Sequence, residues 1–133
     1  MVEMLGNTPR RTKPTDGELE ILSVLWDKGP STVRDIHEEL EKTRDMGRTT
    51  VLKLIQIMAE KGIVSRDERS RPAKYTANRS REATRSHLVD DLLTKAFGGS
   101  AESLVMHVLS NQKTDPDELK AIQELIAKLE EAR

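Results

Sequence analysis

Apolar positions along this chain form a series of short helical stripes, interrupted once by two extended runs. In "TDGELEILSVLWDKGP" the residues Leu19, Ile21, Leu22, Leu25 and Trp26 recur at helical spacing. Thr15 and Asp16 stand as capping candidates, Glu18 follows three residues after Thr15, and Gly29-Pro30 closes the stretch. Trp26, beside the leucines, is expected to anchor the core. "STVRDIHEELEKT" restarts the pattern after a cap at Ser31 or Thr32, with Val33, Ile36 and Leu40 on one side. A third helix is predicted within "MGRTTVLKLIQIMAEKG", where Val51, Leu54, Ile55 and Met58 share a face and Lys61-Gly62 marks the stop. "IVSRD" and "AKYTA" then have strand character around the charged tip "ERSRP". Three helices followed by a small β-hairpin predict a winged helix-turn-helix over residues 15–79.

From Ser80 the pattern is helical again, so the fold class is mostly α. "SREATRSHLVDDLLTKAFGG" places Leu88, Val89, Leu92, Leu93 and Ala96 on one side and ends at a Gly-Gly stop. "SAESLVMHVLSNQ" repeats the theme with Ala101, Leu104, Val105, Val108 and Leu109. "DPDELKAIQELIAKLEEAR" has Asp115 as cap, Pro116 in the first turn and a broad stripe of Leu119, Ile122, Leu125, Ile126 and Leu129. Three short helices hold too little volume for a core of their own. Residues 80–133 are therefore expected to form a helical dimerisation domain, with Leu88, Leu92, Leu104, Val105, Val108 and the terminal stripe in the interface. The other solution is that these stripes fold back on the same chain.

Residues 1–14 are polar, contain Pro9 and Pro14, and lack apolar periodicity. They read as a flexible arm whose Arg10, Arg11 and Lys13 are available to a nucleic-acid backbone. With one Trp, one Tyr and one Phe, the core must be built from aliphatic residues and Met. No cysteine is present, which removes disulfides and thiolate metal sites. No segment has the length and apolarity of a membrane span, and the expected location is the cytoplasm.

Charge sharpens the picture. The net of −1 conceals three blocks: −4 over residues 1–41, +7 over residues 42–81 and −4 over residues 82–133. The middle block holds eleven Lys/Arg against four Asp/Glu, and it coincides with the third helix and the hairpin. Such concentration points to a directed polyanion contact. The helix face opposite Val51/Leu54/Ile55/Met58 carries Thr49, Lys53 and Gln56, with Arg48 and Thr50 at its start. Short hydroxyls, an amide and cations suit base edges and phosphates better than plain solvent. The candidate DNA contacts are Arg48, Thr49, Thr50, Lys53 and Gln56 on the helix and Arg69, Arg71 and Lys74 on the wing. A winged helix used only for protein contacts, and a regulator binding a small effector directly, are the competing classes. The basic wing argues against the first, and no sequence feature marks a pocket for the second.

Catalytic chemistry is not legible. His37, His87 and His107 fall on different helices without ligand spacing, and no phosphate loop, dinucleotide fingerprint or nucleophile elbow occurs. No enzyme, metal or cofactor is expected. The charged residues of the first two helices read as solvent faces.

"TDGELEILSVLW", "RTTVLKLIQIMAEKGIV" with "AKYTA" after the wing, and "AFGGSAESLVMHVL" before a terminal helix occur in that order. In this combination the chain resembles the penicillinase-repressor family over nearly all of residues 15–130. Those winged-helix repressors control beta-lactamase, methicillin-resistance and copper operons. The resemblance implies a homodimer on a palindromic operator in double-stranded DNA, and a membrane-bound sensor metalloprotease that triggers release. Three departures stand out. The cysteine cluster of the copper-responsive branch is missing, so copper sensing is not expected. The family's frequent Lys-Thr at the recognition-helix start is Thr49-Thr50 here. The Asn-Phe cleavage pair of the beta-lactam repressors is replaced by His107-Val108, which the resemblance leaves as the candidate proteolytic site.

Overall fold

The computed structural model describes residues 13–111 and 113–133. The expected arm and its Arg10 and Arg11 lie almost wholly outside them. Six helices and one hairpin follow in the order α1 (Asp16–Lys28), α2 (Val33–Glu41), α3 (Arg48–Glu60), β1 (Val64–Asp67), β2 (Lys74–Ala77), α4 (Arg81–Ala96), α5 (Ala101–Asn111) and α6 (Pro116–Glu131).

The first two helices start where their side chains satisfy the free amides of the first turn. The Thr15 hydroxyl accepts from the Glu18 amide at 3.2 Å and a Glu18 carboxylate oxygen accepts from the Thr15 amide at 3.0 Å. Thr32 and Asp35 repeat this reciprocal box at α2, both at 3.1 Å. Thr32, not Ser31, is therefore the cap. Ser31 is buried and exchanges two backbone hydrogen bonds with Tyr75, making a one-residue bridge to β2. This third edge was not visible in the sequence, because a single bridging residue leaves no periodicity.

The core consists of Ile21, Leu22, Val24, Leu25, Ile36, Leu40, Val51, Ile55, Met58, Val64 and Tyr75. It is contributed by α1, α2, α3 and both strands, and each fully buried aliphatic side chain is worth about 1.5–3 kcal/mol against exposure. Gly17 permits the close approach of α1 to α3: a Cβ there would lie 3.0 Å from Leu54 Cδ1. Gly62, at φ +79°, ends α3 in a left-handed turn and sends the chain into the hairpin. β1 and β2 pair antiparallel in the register Val64↔Ala77, Ser65↔Thr76, Arg66↔Tyr75 and Asp67↔Lys74. Asn78 fastens the hairpin base, donating from Nδ2 to the Gly62 carbonyl at 2.8 Å and accepting from Ser65 Oγ at 2.7 Å.

One expectation is corrected by the packing, and a second is narrowed. Glu18 does not belong to a solvent face: it is 1% exposed, and its second carboxylate oxygen accepts from Lys61 Nζ at 3.0 Å, tying the start of α1 to the end of α3. Trp26 does pack against the core, but from its margin, where it is only partly buried: its Nε1–H donates to the Arg79 carbonyl at 2.9 Å, and the Arg81 guanidinium lies 5.5 Å from its ring centroid.

The chain divides into two compact units, one ending at Leu88 and one running from Val89. In the second, α5 and α6 contain no buried residue. Val89, Leu92, Val105, Met106, Val108, Leu109, Leu119, Leu125, Ile126 and Leu129 are all exposed large apolar side chains. No helix among the described residues is long and apolar enough to cross a membrane.

Candidate nucleic-acid interface

α3 differs from every other helix at its N-terminus. Thr15, Thr32 and Asp115 cap α1, α2 and α6, and the hydroxyls of Ser80 and Ser100 accept first-turn amides of α4 and α5 at 3.0 Å each. α3 begins at Gly47, and no side chain caps it. Its first-turn N–H groups and the positive end of its dipole are thus left for an anion. Arg48, Thr49 and Thr50 stand at this end, all exposed.

Farther along, Lys53 and Gln56 are exposed on the same side, while Val51, Ile55 and Met58 are fully buried and Leu54 partly so. The helix is held by its inner face and offers its outer one. On the hairpin, Arg69, Arg71 and Lys74 are exposed near the tip, with a cis bond between Arg71 and Pro72. Arg66, which periodicity did not single out, joins them. It lines an open hollow of about 360 Å³ between α3 and the hairpin, with Leu52, Gln56 and Tyr75 among its neighbours. Its signal in the sequence is weak, since a strand cation points to one face only once the register is known.

Ion pairing divides the basic block. Of its eleven cations, five are engaged: Lys42 with Glu39, Arg44 with Glu20, Lys61 with Glu18, Arg69 with Asp67 and Arg81 with Asp27. Arg48, Lys53, Arg66, Arg71, Lys74 and Arg79 form no ion pair with any described residue. Five of these six lie on α3 or the hairpin. The positive field is therefore concentrated where the exposed polar face already is.

Arg69 is the exception among the candidate contacts. Its Nε and Nη2 donate to the two Asp67 carboxylate oxygens at 3.0 and 3.2 Å, although the side chain is 92% exposed. These bonds, with the Arg69 backbone amide, hold the Asp67 carboxyl below its ordinary range and raise the guanidinium above its own. Much of the Arg69 charge is thereby spoken for within the hairpin.

Among the described residues no group of three or more His, Asp or Glu is arranged to hold a metal. His107 lies exposed in α5, its ring edge-on to Phe97 at 5.8 Å, and its carbonyl accepts from Asn111 Nδ2 at 2.9 Å. The His107-Val108 bond is consequently inside a formed helix. A cavity of about 140 Å³ lies against Leu22, Ile63, Asn78, Thr84 and His87. It is far smaller than the roughly 300–1,000 Å³ of drug-sized ligand sites.

The sequence profile of the penicillinase repressors matches residues 14–128. The transcriptional regulator BlaI of Mycobacterium tuberculosis is 31% identical over 121 residues, which is 90% of this chain and 86% of its own. The penicillinase repressor of Staphylococcus aureus is 21% identical, covering 82% of this chain and 86% of its own. The methicillin resistance regulatory protein MecI of Mammaliicoccus sciuri is also 21% identical, covering 86% of this chain and 93% of its own.

Proposed function

Because this chain belongs to the penicillinase-repressor family, whose members are transcriptional repressors and not enzymes, we propose that it represses by binding a palindromic operator as a homodimer in the cytoplasm. The observation that carries this is the outer face of α3. It is a capless helix start beside hydroxyls and cations that pair with no described residue, on a helix whose other face packs into the core. α3 enters the major groove. Arg48 and the helix amides hold phosphate there, while Thr49, Thr50, Lys53 and Gln56 reach base edges. Arg66, Arg71 and Lys74 grip the flanking backbone, with Arg69 contributing once it leaves Asp67.

The exposed stripes of residues 89–133, with Leu88 at their edge, are covered by the same stripes of a second copy. Two joined winged units turn the second half-site contact into an intramolecular event. Cleavage within "SLVMHV" by a membrane-bound sensor metalloprotease would separate the terminal stripe from the winged unit and end repression. The bond at His107-Val108 must unwind first, which requires local opening of α5.

A mobility-shift titration with the DNA upstream of its own gene, against random duplex, tests the reading. Lys53→Ala is expected to cost roughly 1–3 kcal/mol and to relax specificity at one base pair. Arg48→Ala is expected to weaken both duplexes and to flatten the salt slope by about 0.9. Equal losses on both duplexes for Thr49, Thr50, Lys53 and Gln56 variants would remove base readout. Mass spectrometry of the repressor from induced cells tests release, and an intact chain under full derepression would exclude cleavage.

A further inference from the structure

One side chain on the outer face of α3 does not match its neighbours. Leu52 is 41% exposed, and it is the only large exposed apolar residue described up to Leu88. A lone surface leucine is ordinarily unremarked, because apolar atoms make up much of any protein surface. The position of this one is what matters. Thr49 and Gln56 lie three and four residues from it and Lys53 follows it directly, so Leu52 stands on the exposed side of the helix, at the margin of the polar face. The core has already taken the opposite side of the helix, so no packing demand within the winged unit explains an apolar group here.

Resting on the DNA-binding reading above, we infer that Leu52 selects a thymine by packing against its C5-methyl group. In the major groove the bases present hydrogen-bond donors and acceptors, and the thymine methyl is the one bulky apolar group, so an apolar side chain has one complementary base feature to find. Cytosine at the same place offers only hydrogen, and adenine or guanine offers polar atoms that a leucine would leave without partners. Arg48, Lys53 and Arg66, which pair with no described residue, supply attraction to phosphate, and the leucine adds discrimination without charge.

The test uses the full-length protein and a duplex recovered by selection from a random pool. Each thymine of that duplex is replaced in turn by deoxyuridine, which removes only the methyl. Wild-type protein is expected to lose about fourfold in affinity per half-site at one position, the equivalent of one buried methyl-sized group. Leu52→Ala is expected to bind thymine and uracil duplexes equally, while Leu52→Met, which keeps the volume, retains the discrimination. Both variants should melt as wild type does, since the side chain is outside the core. Selective binding with no uracil-sensitive position, or with a sensitivity that persists in Leu52→Ala, overturns the leucine assignment and leaves the DNA-binding reading in place. Failure of the pool to yield any preferred sequence overturns both.

Discussion

The two units of this chain solve the burial problem in opposite ways. Every buried hydrophobic residue of the described chain lies between Ile21 and Tyr75, and ten of the eleven exposed large apolar side chains lie at or beyond Val89. The first unit folds three helices and a hairpin around a shared centre. The second spends its apolar residues on stripes that its own three short helices do not cover. A stripe costs little to leave exposed on one helix, but ten such side chains together amount to a surface that favours association. Under the proposed pairing of two copies, the first unit is stable by itself and the second draws its stability from its partner.

Removing the second unit should have the largest effect. A chain ending at Leu88 is expected to fold, to sediment as a monomer, and to bind the full operator on the order of 10²–10⁴ less tightly. A truncated protein that stays dimeric, or binds undiminished, would show that the exposed stripes do something else.

Single substitutions sharpen the same contrast. Ile55→Ala should cost about 2–5 kcal/mol in denaturant unfolding, equally at high and low protein concentration, because Ile55 is fully buried within one chain. Leu125→Ala should leave the melting of the winged unit unchanged and instead raise the concentration at which the dimer dissociates. A concentration-independent loss from Leu125→Ala would mean that its stripe is covered within the chain.

Lys61→Met probes the ion pair that the buried Glu18 makes within the winged unit. Glu18 keeps its capping bond to the Thr15 amide but loses its cation. The expected cost is about 1–3 kcal/mol, kept at that level because Lys61 is partly solvated. The loss should be the same in the full chain and in the chain ending at Leu88.

The smallest effect concerns Arg69. Asp67→Asn frees its guanidinium, and the salt slope of operator binding should steepen, by less than about 0.9 per half-site. The pH dependence has a definite sign. Hydrogen bonds from Arg69 hold the folded Asp67 carboxyl below its ordinary value, so the small stabilisation from this pair is present above that value and is lost as pH falls through the lower, folded one. An unchanged slope in Asp67→Asn would place Arg69 away from the backbone.

What the sequence determined by itself is the set of elements and the inner face of each. Thr15 with Glu18, Gly29, Gly62 and Asp115 are local signals, and helical spacing assigned Val51, Ile55 and Met58 to the core without reference to anything distant. The outer face of α3 followed, as the remainder of that assignment. Only the tertiary structure decided which charges are free. Glu18 and Lys61 are forty-three residues apart and Arg81 and Asp27 fifty-four, and Arg44 meets Glu20 from beyond the far end of α2. No spacing rule links such pairs. Leu52 belongs to the same class: it fits an amphipathic helix as well as its neighbours do, yet it is left exposed beside the hollow that Arg66 and Tyr75 line. Periodicity reports which side of an element is apolar, whereas the edges of contact between elements exist only once they have packed.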